Sequence, residues 1–175
     1  NHMPTITLRK PDIQDVSALR NIGIQTFCES FSDQNTEENM QQYLAEKFSE
    51  EQLSVEMNDP NAQFYFAETE GRVIGYLKIN TGSSQTEKLE GQCLEIERIY
   101  VLKEYHGKQV GQLLYNKAIQ VAEELQADFV WLGVWEENHR AIHFYRKNGF
   151  LEFGKHIFKL GDDEQTDIMM KKPLR

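Results

Sequence analysis

The stretch of sequence that decides the fold is an alternating strand followed by a glycine-containing turn. It reads Leu94-Glu95-Ile96-Glu97-Arg98-Ile99-Tyr100-Val101 and then Tyr105-His106-Gly107-Lys108-Gln109-Val110-Gly111-Gln112. Apolar residues at helical spacing continue from the turn and predict a helix over residues 107–126, and a strongly apolar strand follows at residues 128–135. A strand-helix-strand crossover of this length predicts that the two strands are parallel.

The turn before this helix is a candidate anion site. Unpaired backbone N–H groups converge in the first turn of a helix, and the helix dipole favours negative charge there. Gly107 and Gly111 let the backbone approach a pyrophosphate closely, and Lys108 adds a positive charge. Neither a P-loop nor a GxGxxG pattern is present, so the turn taken alone is better explained as a simple tight turn.

Strands and amphipathic helices alternate along the rest of the chain, and no repeat, low-complexity tract or Pro/Gly-rich linker interrupts them. Strands are predicted around residues 5–9 and at 63–69, 73–80, 151–159 and 166–171, and helices after Asp12, at 36–48, after Ser49 and at 138–148. These elements predict one α/β (α+β) domain over residues 3–175. Asn1 and His2 precede Met3 and are interpreted as the remnant of a cleaved expression tag.

Composition narrows the classes of partner. The 175 residues carry a net charge of -9 at pH 7, which argues against nucleic acid and is compatible with a cationic substrate, although an acidic surface also favours solubility. Cys28 and Cys93 have neither a metal-ligand spacing nor that of a disulfide framework, so no metal site is predicted. No apolar run is long enough to span a bilayer and no export signal is present, which predicts a cytoplasmic protein without a membrane partner. The sequence leaves the oligomeric state open, a homodimer included.

A third segment follows the strand and the turn and completes a pattern of three segments. The strand and the turn are followed, in order and at fixed spacing, by Asn138-x-x-Ala141-x-x-Phe144-Tyr145-x-x-x-Gly149-Phe150. Together the three segments resemble the GNAT N-acetyltransferase superfamily over essentially the whole chain, and the closest resemblance is to the PaiA-type spermidine/spermine (polyamine) N-acetyltransferases. The residues that carry this closer resemblance are Thr26-Phe27-x-x-Ser30-Phe31, Gln34-Asn35-x-x-Glu38-Asn39-Met40, Trp131-Leu132-Gly133-Val134-Trp135-Glu136 and Gly161-Asp162-x-Glu164-Gln165-Thr166-Asp167.

The resemblance implies a fold and a cosubstrate. The implied fold is a GNAT-type mixed, mostly antiparallel sheet of about six to seven strands, with central parallel strands that splay apart and about four helices. Acetyl-coenzyme A is the implied cosubstrate, without a metal, and its pantetheine arm enters between the splayed strands. The implied cofactor-binding residues are Ile99, Tyr100, Val101, His106, Gly107, Lys108, Gln109, Val110, Gly111, Gln112, Asn138 and Tyr145.

Two positions depart from the usual pattern of that family, which is Gln or Arg, two residues, Gly, one residue, and Gly or Ala. His106 occupies the first position and Gln109 the fourth, whereas Gly111 keeps the sixth. A glutamine is acceptable at the fourth position if its φ is negative, because the phosphate ligand is the backbone N–H. We therefore expect cofactor binding to be retained.

Amide formation from a thioester requires a base for the protonated amine and a proton donor for the departing thiolate. The resemblance places Tyr145 beside the thioester sulfur as the proton donor. Glu97 and Glu95 lie on the strand that flanks the thioester, and Glu97 is preferred as the base. The two glutamates have the same parity and face one side of the strand unless a bulge intervenes, and a solvated surface pair is the alternative reading. Arg98 is interpreted as a structural ion-pair partner rather than a catalytic group.

The acceptor site is expected under the link between the first two helices. Acidic residues in or beside that link, together with one aromatic residue of the second strand, are the candidate substrate-binding residues: Glu29, Asp33, Glu37, Glu38 and Trp135. A solvated face explains the acidic residues equally well. The resulting prediction is acetyl transfer to a primary amine of a small polycation, spermidine or spermine. The alternatives are another amine (an antibiotic, a peptide or a protein N-terminus) and a non-catalytic acyl-coenzyme A-binding regulator.

Overall fold

Strands and helices in the computed structural model, which describes residues 4–175, follow the predicted alternation, and the interpretation of Asn1 and His2 as a tag lies outside the described residues. The elements are β1 (Thr7–Arg9), α1 (Val16–Phe31), α2 (Glu37–Lys47), α3 (Glu50–Met57), β2 (Ala62–Thr69), β3 (Arg72–Thr81), β4 (Cys93–Val101), α4 (Val110–Glu124), β5 (Phe129–Trp135), α5 (His139–Lys147), β6 (Leu151–Leu160) and β7 (Asp163–Pro173). The described residues form five α-helices, which agrees with the five predicted along the sequence and is one more than the roughly four that the resemblance implied. The helix predicted after Ser49 is α3, whose start Ser49 caps.

The strands form one seven-stranded sheet in the order β1-β2-β3-β4-β5-β7-β6. Among the described pairs only β4 and β5 are parallel, and their pairing runs from Cys93 with Phe129 to Ile96 with Leu132. Beyond these residues β4 continues to Val101 paired with β3 alone, while β5 pairs with β7. The two central strands therefore splay apart, which confirms the predicted mixed α/β fold with its central parallel pair.

Helices cover both faces of the sheet. In β3 every residue from Ile74 to Asn80 is buried, which requires cover above and below the strand. Both α1 and α4 pack on β3 and β4. The core at the centre of the sheet therefore fixes the position of β4, the strand that carries Glu95 and Glu97. None of the helices within residues 4–175 is long and apolar enough to cross a membrane.

The helix after the decisive turn begins later than predicted. It starts at Val110 rather than Gly107, because a 3-10 turn at Lys103–Tyr105 and an irregular turn through Gln109 come first. The last helix agrees more closely with its prediction, since Asn138 caps its start and Gly149, with a φ of 96°, follows its end. The two helix starts that matter for the site thus differ, because α4 follows an irregular turn without a side-chain cap whereas α5 is capped by a side chain.

Candidate active site

Two adjoining cavities open beside the splayed ends of β4 and β5. The larger, of about 620 Å³, lies against the end of β4, the turn before α4, and α5. The smaller, of about 220 Å³, lies between the middle of the sheet and the aromatic side chains of α1 and α2. Six residues line both cavities and form what we call the junction: Ile99, Tyr100, Trp135, Asn138, Ala141 and Tyr145.

The turn before α4 lines the larger cavity through His106, Gly107 and residues 109–112. Gln109, the N-cap residue of α4, makes no side-chain cap hydrogen bond, so the first N–H groups of the helix keep their capacity to bind an anion. The expectation of a negative φ at Gln109 is wrong, since its φ is +66°. The chain reverses sharply between the 3-10 turn and the helix, and a left-handed residue costs a non-glycine side chain about 1 kcal/mol.

Two side chains of this turn, those of His106 and Lys108, were predicted to take part in binding the cofactor, but only His106 lines the cavity. His106 Nε2 lies 2.9 Å from the carbonyl oxygen of Val101 and ties the turn to the end of β4. Burial lowers the pKa of His106, although the hydrogen bond to Val101 opposes this effect. Lys108 does not line the cavity, and its Nζ lies 5.4 Å from the ring centre of Tyr105. The positive charge predicted for Lys108 is therefore not part of the cavity wall.

Other basic side chains that the sequence reasoning missed line the larger cavity. They are Lys103, in the 3-10 turn after β4, and Arg140 and Lys147 of α5. Arg140, Phe144 and Lys147 follow one another at the i, i+4, i+7 spacing of a single helix face, and all three line the cavity. That spacing is the signal in the sequence that marked α5 as a basic wall as well as the carrier of Tyr145.

Asn138 and Tyr145, which the resemblance assigns to the cofactor, both lie at the junction. Asn138 accepts a hydrogen bond from the backbone N–H of Ala141 at 3.2 Å, which fixes its side chain at the junction. Tyr145 packs against Phe144 and Phe150, with ring centres 5.5 and 5.6 Å away. Burial raises the pKa of Tyr145, so the hydroxyl stays protonated at neutral pH.

Glu97 belongs to a buried ion-pair cluster. Its carboxylate lies 2.7 Å from Lys78 Nζ and 3.4 Å from an Arg98 amino group, and both cations also contact Glu56. Burial alone would raise the pKa of Glu97, but the charges of Arg98 and Lys78 outweigh it and lower the pKa to about 2. These contacts support the interpretation of Arg98 as a structural ion-pair partner.

Glu95 has a different environment on the same strand. Its side chain is 3% exposed and accepts hydrogen bonds from the Asn80 amide at 3.0 Å and from the Thr86 backbone N–H at 2.8 Å. Burial raises the pKa of Glu95 above its usual value, despite the hydrogen bonds from Thr86 and Asn80. Asn80 also donates to Glu97 at 2.7 Å, so both glutamates face the same side, and β4 has its register shift at Glu97.

The acidic residues of the α1–α2 link are not brought into the smaller cavity. Asp33, Glu37 and Glu38 are exposed and line neither cavity. Glu29 lines the larger cavity instead and accepts a hydrogen bond from the Lys103 backbone N–H at 2.9 Å. The interpretation of these residues as a polycation-binding roof is therefore not supported by their positions, and Glu37 and Glu38 occupy the first turn of α2, where the helix dipole favours acidic side chains.

The walls of the smaller cavity come from elsewhere. Trp135 lines it as predicted, together with the junction residues Tyr100 and Tyr145. The aromatic residues that line this cavity alone are Phe27, Phe31, Tyr43, Phe48 and Phe158. Besides Glu95 and Glu97, a third carboxylate, Asp167 of β7, lines this cavity next to His156 of β6. Within residues 4–175, no group of three or more His, Cys, Asp or Glu side chains is arranged to hold a metal ion.

Comparisons with known proteins identify the family to which this chain belongs. The model of the acetyltransferase (GNAT) family matches residues 24–150. An uncharacterized N-acetyltransferase of Lactobacillus delbrueckii subsp. lactis is 39% identical over 153 residues, which are 87% of this chain and 88% of that protein. A spermidine N(1)-acetyltransferase of Thermoplasma acidophilum is 25% identical over 172 residues, covering 96% of this chain and 97% of that protein.

Solved structures show the same fold. The PaiA N-acetyltransferase from Thermoplasma acidophilum, in complex with coenzyme A, superposes with a TM-score of 0.78 over 97% of this chain and 99% of its own, at 22% identity. The family match spans most of the chain and includes the β4 strand, the turn before α4, and α5. The protein therefore belongs to the acetyltransferase (GNAT) family of acetyl-coenzyme A-dependent N-acetyltransferases.

Proposed function

We propose that this enzyme transfers acetyl from acetyl-coenzyme A to a primary amine of a small polycation, with spermidine and spermine as the first candidates. The observation that carries the proposal is the junction, where a cavity lined by basic residues and helix N–H groups meets a cavity lined by aromatic rings and three carboxylates. Aromatic walls suit the methylene segments of a polyamine, and carboxylates suit its ammonium groups. The spermidine acetyltransferase among the relatives is consistent with this acceptor.

The larger cavity suits acetyl-coenzyme A as cosubstrate. Beyond Ile96, the backbone groups of β4 that face β5 have no strand partner in the described part of the chain, so they are available to pair with the pantetheine arm near residues 99–101. The turn at residues 106–112 offers N–H groups to the pyrophosphate. Lys103, Arg140 and Lys147 supply positive charge for the phosphates.

We infer that Glu95 rather than Glu97 accepts the proton of the attacking amine. Glu97 is held as a carboxylate by two cations, and a pKa of about 2 makes it a weak base. Glu95 lines the same cavity, has a raised pKa and faces no cation at contact distance in the described residues, so it is the stronger base. The nitrogen attacks the thioester carbonyl carbon as its proton passes to Glu95 directly or through a water molecule.

Tyr145 is inferred to protonate the departing thiolate as the carbon–sulfur bond breaks. It is one of the six residues that line both cavities, which supports a role at the point where the two substrates would meet. Its raised pKa keeps the hydroxyl protonated until a thiolate forms nearby. The products of this step are the acetylated amine and coenzyme A with its thiol restored.

Two other functions are separated from this one by experiment. The protein is incubated with acetyl-coenzyme A and a panel containing spermidine, spermine, aminoglycosides and peptides with free N-termini, and release of coenzyme A thiol is followed. We expect turnover with the polyamines at the lowest KM. Turnover only with an antibiotic or a peptide would contradict the polyamine proposal and leave the acetyltransferase assignment intact. Calorimetric binding of coenzyme A without turnover on any amine would indicate a regulator.

A further inference from the structure

The three carboxylates of the smaller cavity differ in how many partners they have. Glu97 contacts two cations and the Asn80 amide, and Glu95 accepts hydrogen bonds from Asn80 and Thr86. Asp167 has one ionic contact with the described residues, at 3.4 Å from His156 Nε2, although its side chain is only 15% exposed. A half-buried carboxylate with one long contact has lone pairs left for a ligand.

The sheet directs this carboxylate toward the cavity. Asp167 is the register partner of Trp135 on β5 and of His156 on β6, and residues in register on neighbouring strands share one face of the sheet. Trp135 lines the cavity on that face, and so do His156 and Asp167. The aromatic ring of Trp135 at the junction and the carboxylate of Asp167 are therefore adjacent features of one wall.

Gly133 keeps the space in front of this pair open. It lies two residues before Trp135 on β5 and thus faces the same side of the sheet. A Cβ atom at this position would lie 3.2 Å from His156 Cε1 and 3.6 Å from an Asp167 carboxylate oxygen. Any side chain at residue 133 would therefore crowd the histidine against the aspartate and narrow the cavity beside both.

His156 holds the aspartate from the side away from Trp135. Its Nε2 faces Asp167, and its Nδ1 lies 3.7 Å from the Glu87 carboxylate without a hydrogen-bond partner in the described part of the chain. The imidazole is thus placed between two carboxylates, which limits its rotation. His156 is therefore placed as a positioning residue for Asp167.

We propose that Asp167, positioned by His156 and exposed to the cavity by Gly133, binds a second ammonium group of the acceptor and thereby selects diamines and polyamines over monoamines. This proposal rests on the proposed function, because it assumes that the amine enters through the smaller cavity. One ammonium of the acceptor deprotonates and reacts at the junction near Tyr145. The other stays charged and pairs with the carboxylate, while the aromatic walls cover the methylene groups between them.

The test compares substrates that differ only in the second amine. KM and kcat are measured with putrescine against butylamine and with cadaverine against pentylamine, for the wild-type enzyme and for Asp167→Asn. We expect the variant to raise the KM of the diamines about tenfold or more, with kcat nearly unchanged and the monoamine KM unaffected. An equal effect on the diamines and the monoamines, or no effect on either, would overturn the proposal.

Controls separate a local effect from a general one. Asp162→Asn removes the same charge from the exposed turn of the same hairpin, outside both cavities, and should leave every KM within about twofold. His156→Gln should raise the diamine KM selectively and by less than Asp167→Asn does. If His156→Gln changes all four KM values alike, its role is structural and the positioning part of the proposal is wrong.

A binding measurement distinguishes failure of this proposal from failure of the proposed function. Calorimetry follows putrescine binding to the complex of the full-length enzyme with coenzyme A, for the wild type, Asp167→Asn and Gly133→Ala. We expect both variants to weaken binding, the aspartate variant about tenfold. Unchanged putrescine binding in Asp167→Asn overturns the proposal whether or not the enzyme turns over. Putrescine binding that depends on Asp167 without any turnover contradicts the proposed function alone.

Discussion

The two cavities of this enzyme are built from the chain in different ways. The larger is lined almost entirely by three short segments, within residues 29–34, 99–112 and 135–147. The smaller takes one or two side chains each from α1, α2, α5, β6 and β7, besides those of β4 and β5. If the cosubstrate binds in the larger cavity and the acceptor in the smaller, as proposed, contiguous motifs bind the first and dispersed side chains bind the second. Substitutions at the junction, and then on either side of it, test this division.

The largest effect is expected at the junction. Tyr145→Phe should lower kcat about 100-fold or more for every acceptor, because the proton donor for the thiolate is lost, while the Kd of coenzyme A stays unchanged. Thiol release and calorimetry measure the two quantities. Tyr115→Phe is the matched control, since Tyr115 is buried next to Phe144 yet lines neither cavity. A fall in kcat for some acceptors only would contradict this role, because it would indicate that Tyr145 contacts the acceptor in the smaller cavity and does not protonate the thiolate.

The second effect separates the two glutamates of β4 by activity. Glu95→Gln should lower kcat/KM about 100-fold, because the amide cannot accept the amine proton. Burial raises the pKa of Glu95, so the active carboxylate form is lost as the pH falls through that raised pKa, and kcat/KM should decline on the acidic side. The pH profile of Glu95→Gln should lack this decline. If Glu97→Gln lacks the decline of kcat/KM at low pH while Glu95→Gln keeps it, Glu97 and not Glu95 is the base.

The third effect separates the same two residues by stability. Glu97→Gln should reduce the free energy of unfolding by about 3 kcal/mol, since it leaves the buried charges of Lys78 and Arg98 with less compensation. Urea unfolding measures this loss. Glu104→Gln is the control, because the Arg72–Glu104 pair is exposed and should contribute less than about 1 kcal/mol.

The pH dependence of stability follows from the same ion pairs. The pKa of Glu97 falls from the ordinary 4.5 to about 2 on folding. A lowered pKa stabilises the folded state fully above the unfolded value, and that stabilisation is lost as the pH falls from about 4.5 toward 2. The difference in unfolding free energy between the wild type and Glu97→Gln should therefore shrink over this range. A constant difference would show that the charge of Glu97 does not stabilise the fold.

The fourth effect concerns the irregular turn of the larger cavity. Gln109→Gly should raise the free energy of unfolding by about 1 kcal/mol, and the Tm by about 2–4 °C, because glycine adopts a positive φ without strain. Gln126→Gly is a close control, since Gln126 has a φ of 56° just beyond the other end of α4 and lines neither cavity. If the backbone N–H alone binds phosphate, both variants keep the wild-type Kd for coenzyme A. A more than tenfold weaker Kd in Gln109→Gly alone would assign a contact to the glutamine side chain.

The sequence predicted the features that depend on local chemistry. The parallel pairing of β4 and β5 follows from the length of the crossover between them, and the bounds of α5 follow from residues next to it in the chain. The splaying of the two strands was implied by the resemblance to the GNAT superfamily and not by these residues. The positive φ of Gln109 was not predicted, because the reversal of the chain before α4 imposes it and the glutamine itself does not favour it. The sequence favoured Glu97 as the base, but it did not predict the ion pair of Glu97 with Lys78, because Lys78 lies on the neighbouring strand β3.

Long-range placement also explains what the sequence missed in the smaller cavity. Asp167 lies beside His156 only because β6 and β7 pair in a register that no short motif encodes. The acidic residues of the α1–α2 link were assigned to the acceptor by charge and approximate location. The orientation of α2 explains why these residues line neither cavity. Its apolar residues Met40 and Tyr43 pack on the core, and Glu37 and Glu38 are exposed to solvent.

The smallest effect is therefore expected at that link. The triple variant Asp33→Asn, Glu37→Gln, Glu38→Gln should leave the KM for spermidine within about twofold of the wild type, because exposed carboxylates outside both cavities act on the substrate only through screened charge. Measuring the KM at low and at high salt separates this screened attraction from contact. A rise of tenfold or more in the KM for spermidine that does not depend on salt would show that these residues bind the acceptor. It would also show that the smaller cavity extends over α2 when a polycation is bound, which would make the acceptor site less dependent on Asp167.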